Sequence, residues 1–145
     1  MGKPFNYHFD LKWTGFTGNE NYLRSGLVRL ENKTLEVSAD AAFRGDKTKW
    51  NPEELLLISI ASCHMLSYLH LCSVNKILVK SYSDSPKAIM MLEANGVGKF
   101  VEATLSPVVE VDPSHVEKAK ELHHEAHQKC FIANSVNFPI NVNII

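Results

Sequence analysis

The chain has 145 residues, 45% of them hydrophobic and 21% charged, and its formal net charge is -1. That length supports one hydrophobic core and is too short for two ordinary domains, so a single domain over residues 1–145 is expected. A charge balance this close to neutral removes the electrostatic basis for binding nucleic acid or an anionic membrane.

The segment Met1-Gly2-Lys3-Pro4-Phe5-Asn6-Tyr7-His8 has no apolar core or cleavage pattern of an export signal. Asn6 also stands where a myristoylation motif needs Ser or Thr. Three cysteines in a chain read as leaderless fit a reducing, cytoplasmic setting better than a disulfide framework. The odd count leaves at least one thiol unpaired in any intrachain scheme.

Over residues 5–13, Tyr7, Phe9, Leu11 and Trp13 alternate with His8, Asp10 and Lys12, the two-residue period of a half-buried strand. Gly15-Phe16-Thr17-Gly18-Asn19 is a turn. Residues 27–30 and 34–37 flank Glu31-Asn32-Lys33 as a hairpin. Gly45-Asp46-Lys47-Thr48 is a polar loop leading into the first helix. That helix has a defined start: Asn51 caps it, Pro52 suits the first helical position, and Glu54 completes a capping box. From there to Ser73 the run is apolar on nearly every side and reads as a central helix packed all round. A membrane span has similar length, but Glu53, Glu54, His64, His70 and the internal serines argue against one.

Residues 77–79, 88–94 and 100–105, separated by Ser83-Asp84-Ser85-Pro86 and Asn95-Gly96-Val97-Gly98, read as a three-stranded meander, with residues 108–111 extending the last strand past Pro107. A second helix opens at Asp112-Pro113-Ser114, where Ser114 and Glu117 form a capping box, and runs to about Lys129. Residues 137–145 alternate again as a closing strand. Strands, helix, strands, helix, strand make an α+β domain.

On the first helix, Ser59, Cys63, Ser67 and His70 share one small, polar stripe. Cys72 is nine residues beyond Cys63, on the opposite face, so those two cannot bridge and Cys72 reads as core packing. On the second helix Val116, Ala119, His123, Ala126 and Cys130 follow one face. If that face packs on the small polar stripe, Cys130 approaches Cys63; inert burial of both thiols is the competing reading. His123 and His127 are one turn apart, as two metal ligands would be. The run His123-His124-Glu125-Ala126-His127 nevertheless lacks a third ligand, and packing or solvated histidines are favoured. No metal or cofactor is expected. His64 points about 100° away from Cys63 around the helix, so adjacency does not make it a base.

Asn51-Pro52-Glu53-Glu54-Leu55, then Ala61-Ser62-Cys63, then Cys130 near the end of the second helix resemble the family of osmotically induced protein C and the organic hydroperoxide resistance proteins. The likeness extends through the element order over nearly the whole chain. Phe43-Arg44-Gly45-Asp46, Cys63-His64-Met65-Leu66 and Cys130-Phe131-Ile132-Ala133-Asn134-Ser135 point to a less-studied branch. The resemblance implies a cytosolic, cofactor-free peroxidase acting on hydroperoxides, organic ones in parts of the family. It also implies an intertwined homodimer with two long central helices wrapped by sheets, and recycling by an external dithiol. Position by position, Cys63 matches the peroxidatic cysteine, Cys130 the resolving one, and Glu53 the acidic partner of a catalytic arginine. Arg24 and Arg44 both stand near places where branches of the family carry that arginine. A non-catalytic small-ligand or redox-sensing module on the same scaffold is the alternative.

Such chemistry has physical requirements. The thiolate is the nucleophile, and burial in an apolar helix raises a thiol pKa, so the site must supply positive charge or hydrogen bonds. An arginine fork oriented by a carboxylate does so. Glu53 and Cys63 are ten residues apart on one helix, about 15 Å along its axis, so Glu53 serves Cys63 only if a partner chain brings it.

Overall fold

The structure, a computed structural model, describes residues 2–144, which divide into two compact units, one up to Leu56 and one from Leu57. In the first unit β1 (Asp10–Lys12), β2 (Ser25–Leu30) and β3 (Lys33–Ser38) form an antiparallel sheet in chain order. The predicted hairpin is present with a tighter turn. Lys33 pairs with Leu30, so only Glu31 and Asn32 connect the strands, and Glu31 takes a left-handed φ of 54°. Two-residue connections need such a φ to match the strand twist.

The half-buried strand expected over residues 5–13 is reduced to β1. Asp10 faces Arg29, so Phe9 would face the last residue of β2 and anything earlier would face the turn. Without a neighbouring backbone the segment leaves the sheet, and its apolar stripe lies open, with Tyr7 90% and Phe9 60% exposed.

Buried Ser38 organises the approach to the helix. Its hydroxyl donates to Arg24 O at 3.0 Å and accepts from Ser25 Oγ at 3.0 Å and Asp46 N at 2.9 Å. A Cβ on Gly45 would meet Ala39 O at 1.6 Å, so the loop closes only with glycine there. α1 (Pro52–Val74) then starts with the predicted capping box. Glu54 N donates to Asn51 Oδ1 at 2.7 Å, and Asn51 N donates to the Glu54 carboxylate at 3.1 Å.

α1 buries one stripe, Ile60, His64, Tyr68, Leu71 and Cys72. The expectation of packing all round fails: Ile58 is 42% and Leu66 62% exposed. One partner helix covers one stripe and no more. The 23 residues of α1 are long and apolar enough to cross a membrane. Its buried stripe, however, holds a histidine hydrogen-bonded to the next helix, as a core helix does. After α1 ends at Val74 the chain turns at Lys76, whose φ is 58°, with Ile77 N donating to Cys72 O at 2.9 Å and Lys76 N to Ser73 O at 3.0 Å. This αL termination brings Ile77 against Cys72, and both lie in the core. Cys72 is thus core packing, as its position predicted.

The predicted meander is replaced by a different pairing of β4 (Val79–Ser83), β5 (Lys87–Leu92), β6 (Gly98–Leu105) and β7 (Val108–Val111). β4 pairs with β7 and β5 with β6, and the register continues, with Ser83 opposite Val108 and Lys87 opposite Thr104. The result is one long ribbon, interrupted where Pro86 and Pro107 lack a ladder N–H. Asp84 Oδ1 spans the gap by accepting from Ser106 N at 2.8 Å. β8 (Ile140–Val142) lies parallel to β6 with Ile140 opposite Ala103. The closing strand predicted for residues 137–145 is therefore shorter, and its final residue lies outside the described residues.

A 3-10 turn, Pro113–His115, leads into α2 (Val116–Lys129). Asp112 caps this turn, its Oδ1 accepting from Ser114 N and Oγ at 3.1 and 2.8 Å, and α2 itself starts after His115 without a side-chain cap, so the predicted Ser114–Glu117 box does not form. α2 buries Ala119, Leu122, His123 and Ala126, and Tyr68 donates its hydroxyl to Ala119 O at 3.1 Å. It packs on the His64–Tyr68–Cys72 stripe of α1 and not on the Ser59–Cys63–Ser67 stripe, the condition under which the sequence let Cys130 approach Cys63.

The seam between the helices is aromatic. His64 Nε2 lies 3.1 Å from His123 Nδ1, with ring centroids 5.4 Å apart and planes 7° apart. That centroid separation is about the most that two imidazoles joined at these nitrogens can reach, so the hydrogen bond runs in line between coplanar rings. Nδ1 of His64 is buried and unpartnered. An orphan lone pair costs less than an orphan N–H, which places the shared hydrogen on His64 Nε2. The Tyr68 ring lies parallel to His123 at 3.9 Å.

Burial pushes the His64 pKa down to about 4, with further lowering from His123 and His127, and burial pushes His123 down to about 4. Between the ordinary value of about 6.5 and these folded values the unfolded chain binds more protons than the folded one, so stability rises with pH there. The contribution is complete above pH ~6.5 and is lost as the pH falls toward 4, by about 1.4 kcal/mol per pH unit for one proton. Urea unfolding should therefore show a midpoint falling steadily from pH 7 to pH 5. In a His64→Leu/His123→Leu protein that dependence should flatten; an equal slope in both proteins would contradict the assignment.

Candidate active site

The structure brings Cys63 and Cys130 together and leaves all three cysteines as free thiols. Cys63 sits mid-way along α1, half-exposed, and Ser67 follows it one turn later. Cys130 is the residue at which α2 stops: its backbone is extended, with φ -66° and ψ 118°, and its side chain is 1% exposed. The chain then turns through Phe131 and Ile132 into a 3-10 turn, Ala133–Ser135. The thiol of Cys63 is hydrogen-bonded by the Cys130 thiol, the backbone N–H groups of Ile132 and Phe131, and the Ser67 hydroxyl.

These contacts decide the protonation order. Burial alone would raise the Cys63 pKa, but the hydrogen bonds from Cys130, Ile132, Phe131 and Ser67 together outweigh it and lower the pKa. Cys130 is pushed up to about 11, first by burial and then by its hydrogen bond to Cys63, although Ala133 N donates to its sulfur at 3.4 Å. The opposite directions of the two shifts make Cys63 the accepting sulfur of the pair and Cys130 the donating thiol. Cys72, on the far side of α1, is raised by burial.

Cys63 opens into a depression of about 350 Å³ lined by Ser59, Ser62, Leu66, Ser67 and Phe131. The small stripe read from sequence is therefore its floor, except that His70 does not line it. Ser62 spends its hydroxyl hydrogen on Ile58 O at 2.6 Å. Leu66, 62% exposed, and Phe131, 80% exposed, are its apolar walls.

The remaining predicted site residues lie in the first unit. Arg24 stacks its guanidinium on Tyr22 at 4.3 Å and leaves a buried, unpartnered Nε. Arg44 closes the 3-10 turn Ala41–Phe43 with φ 65° and donates to Glu20 O at 3.0 Å. Glu53, in the first turn of α1, has a buried Oε2 with no partner. Among the described residues no ion pair joins Glu53 to either arginine. The histidine pair considered for a metal is occupied otherwise, because His123 Nδ1 faces His64. No group of three or more His, Cys, Asp or Glu suited to a metal occurs among the described residues.

Sequence reasoning did not foresee the main-chain donors of Phe131 and Ile132. A turn after a helix can aim two N–H groups at one atom, and no side-chain pattern announces it. The nearest signal was Asn134, a turn-former four residues after Cys130.

The family model described as OsmC-like protein matches residues 45–145. The chain belongs to this OsmC-like family. An OsmC-like protein of unknown function from Vibrio cholerae superposes with a TM-score of 0.87 at 24% identity, covering 98% of this chain and 100% of that one. An organic hydroperoxide resistance protein from Elizabethkingia anophelis gives 0.72 at 21% identity, covering 98% of each chain. The organic hydroperoxide resistance protein OhrB of Bacillus subtilis gives 0.64 at 20% identity, covering 96% of this chain and 98% of that one. These likenesses establish the α+β OsmC-like fold. No curated protein matches the sequence.

The three thiols should differ in reactivity. With limiting N-ethylmaleimide at pH 7, peptide mass spectrometry should find Cys63 modified at least about tenfold faster than Cys130 or Cys72. Equal labelling of Cys63 and Cys130 would refute the protonation order.

Proposed function

We propose that this OsmC-like protein is a cysteine-based thiol peroxidase that reduces hydroperoxides, organic ones included. The hydrogen bond between a pKa-lowered Cys63 and a protonated Cys130 carries this reading. The Cys63 thiolate attacks the terminal peroxide oxygen; the O–O bond breaks, Cys63 becomes a sulfenic acid, and the leaving alkoxide takes up a proton to depart as the alcohol. The Cys130 thiol then condenses with the sulfenic acid, releasing water and forming the Cys63–Cys130 disulfide. An external dithiol reopens it by exchange and is itself oxidised. The apolar walls of Leu66 and Phe131 suit the organic group of the substrate.

In this reading residues 1–145 act as one OsmC-like domain in a cytoplasmic homodimer, without a cofactor, a nucleic acid or a membrane as partner. The dimer is supported by the uncovered apolar residues of α1, the open stripe of residues 5–13, and the ~15 Å of helix between Glu53 and Cys63. A second copy running antiparallel would bring its own Glu53 to the site. Arg24 is the stronger candidate for the arginine, since its Nε is unspent whereas Arg44 already donates to Glu20.

One equivalent of cumene hydroperoxide should remove two of the three thiols and leave Cys72. Cys63→Ser should lose peroxide reduction by at least about a hundredfold. Cys130→Ser should halt after one turnover as a dimedone-reactive sulfenic acid. A Cys63→Ser protein consuming peroxide at the wild-type rate would end the proposal, and stoichiometric oxidation that no dithiol reverses would favour a sensing role.

A further inference from the structure

The main-chain donors at Cys63 need something to aim them, because the segment that carries them follows the end of α2 and belongs to no sheet. Phe131 is exposed and anchors nothing. The carbonyl groups of Cys130, Phe131 and Ile132, by contrast, are engaged. Asn134 Nδ2 donates to Gln128 O and Cys130 O, both at 2.9 Å, and Asn134 N donates to Cys130 O at 3.1 Å. Ser135 Oγ donates to Phe131 O at 2.7 Å, and Ser135 N donates to Ile132 O at 2.9 Å. Both acceptors of the Asn134 carboxamide are carbonyl oxygens, so its orientation is fixed with the NH2 toward them.

A peptide unit is planar and trans, so its carbonyl and the following N–H point in opposite directions. Fixing the Cys130 carbonyl therefore fixes the direction of the Phe131 N–H, and fixing the Phe131 carbonyl fixes that of Ile132. These are the two main-chain groups that donate to Cys63. By the same rule the Ile132 carbonyl, held by Ser135 N, turns the Ala133 N–H toward Cys130 Sγ at 3.4 Å.

We infer that Asn134 and Ser135 are positioning residues for Cys63, their side chains gripping the carbonyl side of the turn so that its N–H side cradles the reacting sulfur. The inference rests on the reading of Cys63 as the reacting thiol and adds to it residues that touch neither sulfur nor substrate through their side chains. Both are exposed, so their removal leaves the helix seam intact.

The test follows alkylation of Cys63 by iodoacetamide against pH, resolved by peptide mass spectrometry, in Asn134→Ala and Ser135→Ala, with Gln128→Ala as a control. Gln128 contributes only its backbone carbonyl to the turn, while its side chain meets His124. The alkylation midpoint should move upward in both positioning variants, with the rate below the midpoint falling about three- to tenfold, as a shift of half to one pH unit requires. Gln128→Ala should stay within about twofold of wild type. A merely structural role would lower the melting temperature and leave the midpoint in place. An unmoved midpoint in a variant whose circular dichroism is native overturns the inference, and if Asn134→Ala does not fold, Ser135→Ala decides alone. The measurement uses no hydroperoxide, so its outcome is separable from that of the peroxidase proposal.

Discussion

The in-line hydrogen bond between His64 and His123, with Tyr68 stacked on the latter, fixes how α2 lies on α1, and the candidate site follows from it. α2 is short and ends at Lys129. Once His123 is tied to His64, one helical step on from Cys63, and Tyr68 to the backbone of Ala119, the residues after α2 have little choice of position. Cys130 falls beside Cys63 because the seam places it there. The helix ends would otherwise drift, since small residues such as Ala119 and Ala126 specify closeness but not register. A buried polar pair specifies register because it tolerates no slip: displaced by one turn, each imidazole would lose its partner inside an apolar seam.

The same seam explains how the Cys63 pKa is lowered by hydrogen bonds alone. Burial works against a thiolate, and the offset comes from four donors, two from the main chain and two from side chains. Donors fixed in place need no reorganisation when charge develops, which gives uncharged groups an effect out of proportion to their dipoles. The arrangement also separates the two cysteines chemically. Between the two sulfurs Cys130 donates and Cys63 accepts, so proximity produces difference instead of two equivalent thiols.

Much of this was legible in the sequence where a local rule governs. The Asn51–Glu54 box, the hairpin near Glu31, the opposition of Cys63 and Cys72 around one helix and the small stripe beneath Cys63 all depend on spacing within one element. The failures share a cause. Residues 5–13 have the period of a strand, but the length of a strand in a sheet is set by its neighbour, and β2 turns back after Leu30. Residues 77–79 read as the first strand of a meander, yet the strand begins at Val79, runs to Ser83 and pairs with β7, beyond the ladder breaks at Pro86 and Pro107. Ala119, His123 and Ala126 were legible as one face of α2, but the stripe of α1 that receives them was left open, because choosing between stripes 100° apart depends on the His64–His123 contact, 59 residues apart in sequence. The cradle around Cys63 is main chain, and composition says nothing about where a turn aims its N–H groups.

The three cysteines show how far a single helix can differentiate one residue type. Cys72 closes α1: its carbonyl receives Ile77 N, its side chain fills the core beside Tyr68, and burial holds its proton in place. Cys63, nine residues earlier and half a turn round, meets a loop instead of a core, and the loop presents donors. Cys130 is on neither face, but at the point where α2 gives way to that loop, so it is buried like Cys72 and within reach of Cys63. Exchanging the environments of Cys63 and Cys72 would need a half-turn rotation of α1 about its axis. The αL termination at Lys76 and the capping box at Asn51 both oppose that rotation, and the histidine seam forbids it. The distinction between a thiol whose pKa is lowered and one whose pKa is raised is therefore held by contacts at both ends and the middle of one helix, most of them remote from sulfur.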